Sequence, residues 1–168
     1  MSRRATRELA LKVLFQVDVG RADPARALDY TAELQRLMGD GEEEAARTGH
    51  TGRGGHTGHT GGLGVSADLT PEDVAFAGEL VRGALDHLPE IDQIIVDHAR
   101  EWRIERMANI DRNVLRLALY EMAHRPDIPV SVSINEAVEL AKKFGTGESG
   151  RFVNGILGNA ARLLKRDE

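Results

Sequence analysis

The chain has no cysteine, which excludes disulfides and thiolate metal sites and fits a reducing cytosol. It also lacks the run of about 18 apolar residues that a membrane-spanning helix needs. No secretory leader is visible, because the N-terminus goes straight into an amphipathic pattern. The arginines at the start suggest an organelle transit peptide, but Glu8 and the core-forming pattern behind it argue against one. The expected location is the cytoplasm, with no membrane partner. Strand-like alternation is missing throughout, and so are a phosphate loop, a nucleophile elbow, a His pair with an intervening Glu and a cofactor fingerprint. Ser131, Ser133 and Ser149 are explained as helix caps, and the abundant carboxylates as solvated helix faces. The expectation is a non-enzyme with no cofactor and no metal.

What is present is helical periodicity. With 168 residues, 41% of them apolar, the chain can bury a sizeable core as one all-α domain. Its clearest pattern covers residues 110–164. Asp111 is a candidate N-cap for a helix whose apolar positions, Val114, Leu115, Leu117, Ala118, Leu119 and Met122, spread over more than one side. Ser133 and Glu136 have the spacing of a reciprocal capping box, ahead of Ala137, Val138 and Ala141. Ser149 opens a third helix with Phe152, Val153, Ile156, Leu157, Ala160, Ala161 and Leu164 on one side. Gly155 and Gly158 lie inside it, where each costs about 1 kcal/mol against alanine, so a close neighbour or partner is expected there.

Upstream, a first helix over about residues 5–19 has Ala10, Val13, Leu14 and Val17 as its core stripe, with Arg4, Arg7, Leu11 and Phe15 on an adjacent one. That second stripe is either a second contact surface or a widening of the buried face. A helix over residues 24–38 points Ala27, Leu28, Leu34 and Leu37 inward. Thr70 caps another, with Asp73 three residues on, and Gly78 and Gly83 allow a close crossing. Pro89 begins a further helix that leads through His98 and Trp102, both expected in core or rim positions.

Composition changes between these helices. Residues 39–64 hold ten of the eighteen glycines and repeat a Gly-His-Thr unit, which predicts a flexible surface insertion over residues 39–69. His50, His56 and His59 supply enough imidazoles for a zinc site in number, but nothing preorganises them and no carboxylate orients them.

The formal net charge is −5, unfavourable for a nucleic-acid binder until it is divided along the chain. Residues 1–12 carry +3, residues 139–168 carry +2 and residues 13–138 carry −10. If the first helix packs beside the last two, a basic patch sits on an acidic body. The connection FGTGES sets Lys142, Lys143 and Arg151 near Phe144 and Phe152. Cations beside aromatic rings suit single-stranded RNA, the phosphates meeting Lys and Arg while an unpaired base stacks. The competing reading makes both phenylalanines core and leaves the arginines solvated.

The runs RRATRELALKVLFQ, FAGELVRGALDHLPEIDQII, NVLRLALYEM, IPVSVSINEAVELAKKFG and RFVNGIL, in that order and spacing, resemble the NusB family of bacterial transcription antitermination factors. The resemblance covers nearly the whole chain except residues 39–69, where the family is usually much shorter. It implies a bundle of about seven helices in two packed subdomains, residues 1–38 with 70–88 and residues 89–168. It implies binding of boxA RNA from ribosomal RNA operons together with NusE, a small-subunit ribosomal protein, in a complex with RNA polymerase and other Nus factors. By matching motifs, Arg4, Arg7, Glu148, Ser149, Arg151 and Phe152 are the expected RNA residues, with Arg3 added on charge and proximity. Arg4, Arg7 and Arg151 would meet phosphates, Phe152 would stack on or border a base, and Ser149 would donate to a base edge or phosphate. Glu148 would temper affinity or accept from a base amino group. Phe15 and Asp111 match NusE-interface positions, Phe15 where the family carries tyrosine; that exchange keeps the apolar contact and removes a hydroxyl hydrogen bond.

Other readings remain. The protein can be an adaptor that binds NusE or another partner but no RNA. It can be an accessory module like those attached to some ribosomal RNA cytosine methyltransferases, although no catalytic domain is present. A metal-dependent hydrolase built on the histidine insertion predicts stoichiometric zinc. A homodimer is compatible with the sequence.

Overall fold

The computed structural model describes residues 3–47, 69–99 and 102–164. Seven α-helices follow in order: α1 (Arg3–Gly20), α2 (Pro24–Arg47), α3 (Pro71–Asp86), α4 (Leu88–His98), α5 (Asn109–His124), α6 (Val130–Phe144) and α7 (Ser149–Leu164), with a 3₁₀ turn at Ile104–Arg106 before α5. No strand occurs among the described residues. The all-α bundle expected from the periodicity is the fold.

α5 sits at its centre and packs against α1, α3, α4, α6 and α7. This is why its apolar residues are spread around the helix: Val114, Leu115 and Leu119 are fully buried and Leu117 and Ala118 nearly so. Around them close Leu9 and Val13 of α1, Leu80 of α3, Ile91 and Ile95 of α4, Ala141 of α6 and Leu157 of α7. Gly83 lets α3 approach α5, since a Cβ there would strike the Tyr120 ring. Gly78 lies against Leu28 of α2, where a Cβ would sit 3.0 Å from a methyl carbon. Gly83→Ala is expected to lower stability by about 1–3 kcal/mol through overpacking; urea titration checks this, and an unchanged midpoint contradicts it.

Several helix ends differ from the sequence reading. α5 starts at Asn109 with Ala108 as its N-cap, so Asp111 lies inside the first turn. α6 starts at Val130 after Pro129, and the expected Ser133–Glu136 capping box does not form. Ser133 is buried with its hydroxyl unpartnered, while Glu136 turns to Arg4 on α1. The Thr70 box does form: Asp73 N donates to Thr70 Oγ1 at 3.1 Å and Thr70 N donates to Asp73 Oδ2 at 3.0 Å. α2 runs on through Gly39 to Arg47, because residues 42–47 are Glu, Ala and Arg of high helix propensity. The expected insertion is therefore helical up to residue 47, and its His50, His56 and His59 lie outside the described residues. Within α2, Leu34 and Leu37 face solvent, 42% and 65% exposed. Ala27 is buried as expected, and among the described side chains of this helix Thr31, Ala32 and Gln35 are buried where Leu34 and Leu37 are not.

A polar network ties the end of α1 to α4 and α5. Arg112 donates to Asp18 Oδ2 at 2.6 and 2.9 Å, and Asn113 Nδ2 donates to the same oxygen at 3.0 Å. Arg116 donates to both oxygens of Asp92 at 2.8 and 2.9 Å. Partial burial raises the Asp18 carboxyl, but the hydrogen bonds from Arg112 and Asn113 and the nearby positive charges outweigh it and hold it below its ordinary 3.8. A carboxyl depressed in the folded state stabilises the fold above the unfolded-state value, and that contribution disappears as pH falls through the lower folded value. Asp18→Asn should therefore flatten the acid limb of a stability-versus-pH curve; a limb as steep as wild type assigns the acid sensitivity elsewhere.

Candidate nucleic-acid interface

The two ends of the chain meet on one face. Arg4 at the start of α1 donates from Nε and Nη2 to both oxygens of Glu136 on α6, at 3.0 and 3.1 Å. One turn on, Glu8 accepts from Lys143 Nζ at 2.8 Å. The Lys12 and Lys143 ammonium groups stand 5.9 and 5.3 Å from the centre of the Phe144 ring. α6 packs closely on α7, with Gly150 against the Lys142 stem, where a Cβ would stand 3.0 Å from Lys142 Cγ. The Lys142 stem thus packs on the residue before Arg151, and both Lys142 and Arg151 are exposed where α6 ends and α7 begins. Gly145 is fixed in the connection, because a Cβ there would strike Ser149 and the Ala141 carbonyl.

The charges on this face are not equivalent. The Arg4 side chain is 55% exposed, and the Glu136 hydrogen bond raises the guanidinium and lowers the carboxyl. An exposed pair of this kind contributes about 0–1 kcal/mol, so a phosphate can take the carboxylate's place. Arg3, Arg151 and Glu148 are exposed, and Arg151 forms no ion pair with a described residue. Burial lowers the Lys12 ammonium, and Lys143 adds to that effect against the pull of Glu8.

Arg7 is a correction. Expected at a phosphate, it is 2% exposed and held by Glu121 of α5, with Nη2 and Nε donating to Oε1 at 2.6 and 2.9 Å. It shares a stripe with Arg4, but one turn further along α1 the core begins. Ser149 is likewise buried. Its oxygen accepts from Thr146 N at 2.9 Å and closes the α6–α7 turn, so it does not reach out to a base.

Phe152 is half-buried and meets Trp102 edge-on, with ring centres 6.0 Å apart at 77°. Trp102, expected in core or rim, is 58% exposed. The pair forms an aromatic ledge next to Arg151. Trp102 was not among the expected site residues, because no pattern in residues 99–108 indicates which way an indole would turn. A Cβ at Gly155 or Gly158 would meet no atom of a described residue within 4 Å, so no described residue fills the space above them.

Phe15 lines a groove of about 350 Å³ together with Leu11, Tyr30, Leu34, Ile110 and Phe144. Gln35 also lines it, 5% exposed, with neither its amide nitrogen nor its oxygen hydrogen-bonded. Tyr30, Leu34 and Leu37 form an exposed stripe on α2. Asp111, next to Ile110, is 8% exposed with one oxygen unpartnered.

Comparison with known proteins agrees with this architecture. The NusB family matches residues 59–162. The transcription antitermination protein NusB of Desulforamulus reducens is 45% identical over 168 residues, covering 100% of this chain and 94% of that protein. That of Symbiobacterium thermophilum is 45% identical over 165 residues, covering 98% and 92%. Among solved structures, T. maritima NusB superposes with a TM-score of 0.70 at 32% identity, over 96% of this chain and 92% of that one. A structure of the antitermination factors NusB and NusE in complex with double-stranded RNA gives 0.70 at 24% identity, over 97% and 99%, and shares the fold. The chain belongs to the NusB family.

Proposed function

We propose that the protein is a non-catalytic, RNA-binding antitermination factor of the cytoplasm, which holds boxA RNA on the face of α1, α6 and α7 while docking NusE. All of residues 1–168 act as one unit in this reading. The observation that carries it is the joining of α1 to α6 through Arg4 with Glu136 and Glu8 with Lys143, which puts the exposed Arg3 and Arg4 on the end of the bundle where α6 turns into α7 and Arg151 is exposed. Family membership supports it, and so does the RNA and NusE complex of the structural neighbour. Arg3, Arg4 and Arg151 meet phosphates, and Glu148 accepts from a base amino group or tempers affinity. Phe152 and Trp102 offer a ring face or edge to an unpaired base, worth about 1–3 kcal/mol per stacked base. Arg7 and Ser149 act from beneath, holding α1 on α5 and shaping the turn from which Arg151 projects. NusE docks at the groove beside Phe15 and Asp111 and covers the apolar stripe of α2.

The single tryptophan supplies the test. Titrating a boxA-like RNA should change the Trp102 emission saturably at low salt and more weakly as salt rises, because phosphate contacts release counterions. Binding without any change in emission removes the stacking role from Trp102, and no binding at all removes RNA from the proposal. The rival, a protein adaptor without RNA binding, is favoured by the acids on the same face: Glu136, Glu8 and Glu139 stand within 4 Å of Arg4, Lys143 and Lys142. It predicts NusE binding with no RNA affinity in the same titration.

A further inference from the structure

Three side chains that neither the RNA face nor the partner groove uses come together where α3, α4 and α5 end or begin. His87 lies between α3 and α4, Glu90 in the first turn of α4, and His124 is the last residue of α5. The two imidazoles stack with ring centres 3.8 Å apart at 19°. His87 Nδ1 is 3.5 Å from one Glu90 oxygen, and His124 Nε2 is 3.6 Å from the other. One ligand atom from each residue lies within 4.8 Å of the other two.

We propose that His87, Glu90 and His124 form a binding site for a zinc-class divalent cation, which pins the α3–α4 corner to the end of α5. Four features point to an ion. The nitrogen–oxygen separations are at or past the limit of hydrogen bonding, and with one ligand atom of each residue within 4.8 Å of the others, rotation of the exposed Glu90 side chain brings the set towards the roughly 3.3–3.5 Å between neighbouring ligands of a tetrahedral zinc. His124 Nε2 is sealed from solvent without a hydrogen-bond partner, and a buried polar atom in that condition calls for a water or an ion. α3 and α5 both end at this corner, and the C-terminal end of a helix favours positive charge. Glu90, in the first turn of α4, supplies a carboxylate oxygen at the same corner. Two imidazoles and a carboxylate are a zinc donor set that leaves a coordination position open, and His87 and Glu90 are exposed enough, at 40% and 54%, for water to complete it. The cation of Arg125 next door is taken up by Asp127 and Glu79. Nothing in the sequence marks the site, because His87 and His124 are far apart in the chain and outside any ligand-spacing motif.

The test uses the full-length protein and zinc itself. Calorimetric titration and thermal melts are run on the wild type, on a triple variant His50→Ala, His56→Ala, His59→Ala that removes the other histidines able to take zinc, and on His87→Gln and His124→Gln made in that triple background. The wild type and the triple variant should each take one zinc at this site and gain several degrees in Tm, since an ion that binds only the folded state stabilises it; magnesium should give no shift. Either glutamine variant should weaken binding at least tenfold and lose the Tm gain. The ¹⁵N resonances of His87 Nδ1 and His124 Nε2 should move on zinc addition. Zinc affinity retained in His87→Gln, or lost in the triple variant, overturns the site. If His124→Gln does not fold, His87→Gln decides alone, because its half-open side chain supports little of the core.

Discussion

Glu121→Ala is expected to lower folding stability by about 3–5 kcal/mol, because it leaves the Arg7 guanidinium charged and unpaired in the core. The two side chains are 2% and 1% exposed and joined by a 2.6 Å contact between Arg7 Nη2 and Glu121 Oε1. Loss of that magnitude is a large share of the roughly 5–15 kcal/mol that holds a typical domain together. Arg7→Ala should be comparably damaging, and Arg7→Glu worse, since two carboxylates would then face each other without solvent. Replacing both partners with apolar residues, Arg7→Met with Glu121→Leu, should recover most of the loss, because no stranded charge remains. Chemical denaturation of the two single variants and the double variant measures this coupling. A Glu121→Ala loss below about 1 kcal/mol would mean that the pair is solvated after all. One consequence concerns RNA: a charge reversal at Arg7 disturbs the fold and cannot report on phosphate contacts.

The informative reversal is therefore Arg4→Glu with Arg151→Glu. Both side chains are exposed, so the helices should form as before, with a modest penalty from the new carboxylate on α1 standing near that of Glu136. Affinity for boxA RNA should fall by about ten- to a hundredfold at low salt, as two favourable phosphate contacts become repulsive. The plot of log affinity against log salt should become shallower by roughly 1 to 2 units, close to the roughly 0.7–0.9 expected per lost contact. Far-UV circular dichroism and a thermal melt establish that the variant is folded. Loss of affinity with an unchanged salt slope would place the effect outside the phosphate contacts.

Helical periodicity was enough to read the bundle, because α5, α3 and α7 each repeat apolar residues at helical spacing and no segment competes as a strand. Helix starts were less legible. Ser133 and Glu136 have the spacing of a capping box, but Glu136 accepts instead from Arg4, 132 positions away, and no local pattern contains that partner. Gly39 reads as a stop, whereas α2 passes through it to Arg47. Leu34 and Leu37 are apolar at helical spacing, yet they stay 42% and 65% exposed, Leu34 at the edge of the groove beside Phe15. In the candidate site, the convergence of the two basic ends followed from charge distribution together with the family resemblance. The separate fates of Arg4 and Arg7 did not, since both are arginines on one stripe and only the buried carboxylate of Glu121 distinguishes them. The exposure of Trp102 was equally hidden, because an indole suits a core as well as a ledge.

The central claim is that cations from the two ends of the chain together make one surface for RNA. A double-mutant cycle of RNA affinity on Arg4→Ala and Arg151→Ala, at two salt concentrations with folded protein in every arm, tests it most directly. The prediction is that each substitution weakens binding and lowers the salt slope, and that the double variant loses at least the sum of both. RNA affinity untouched by both substitutions contradicts it.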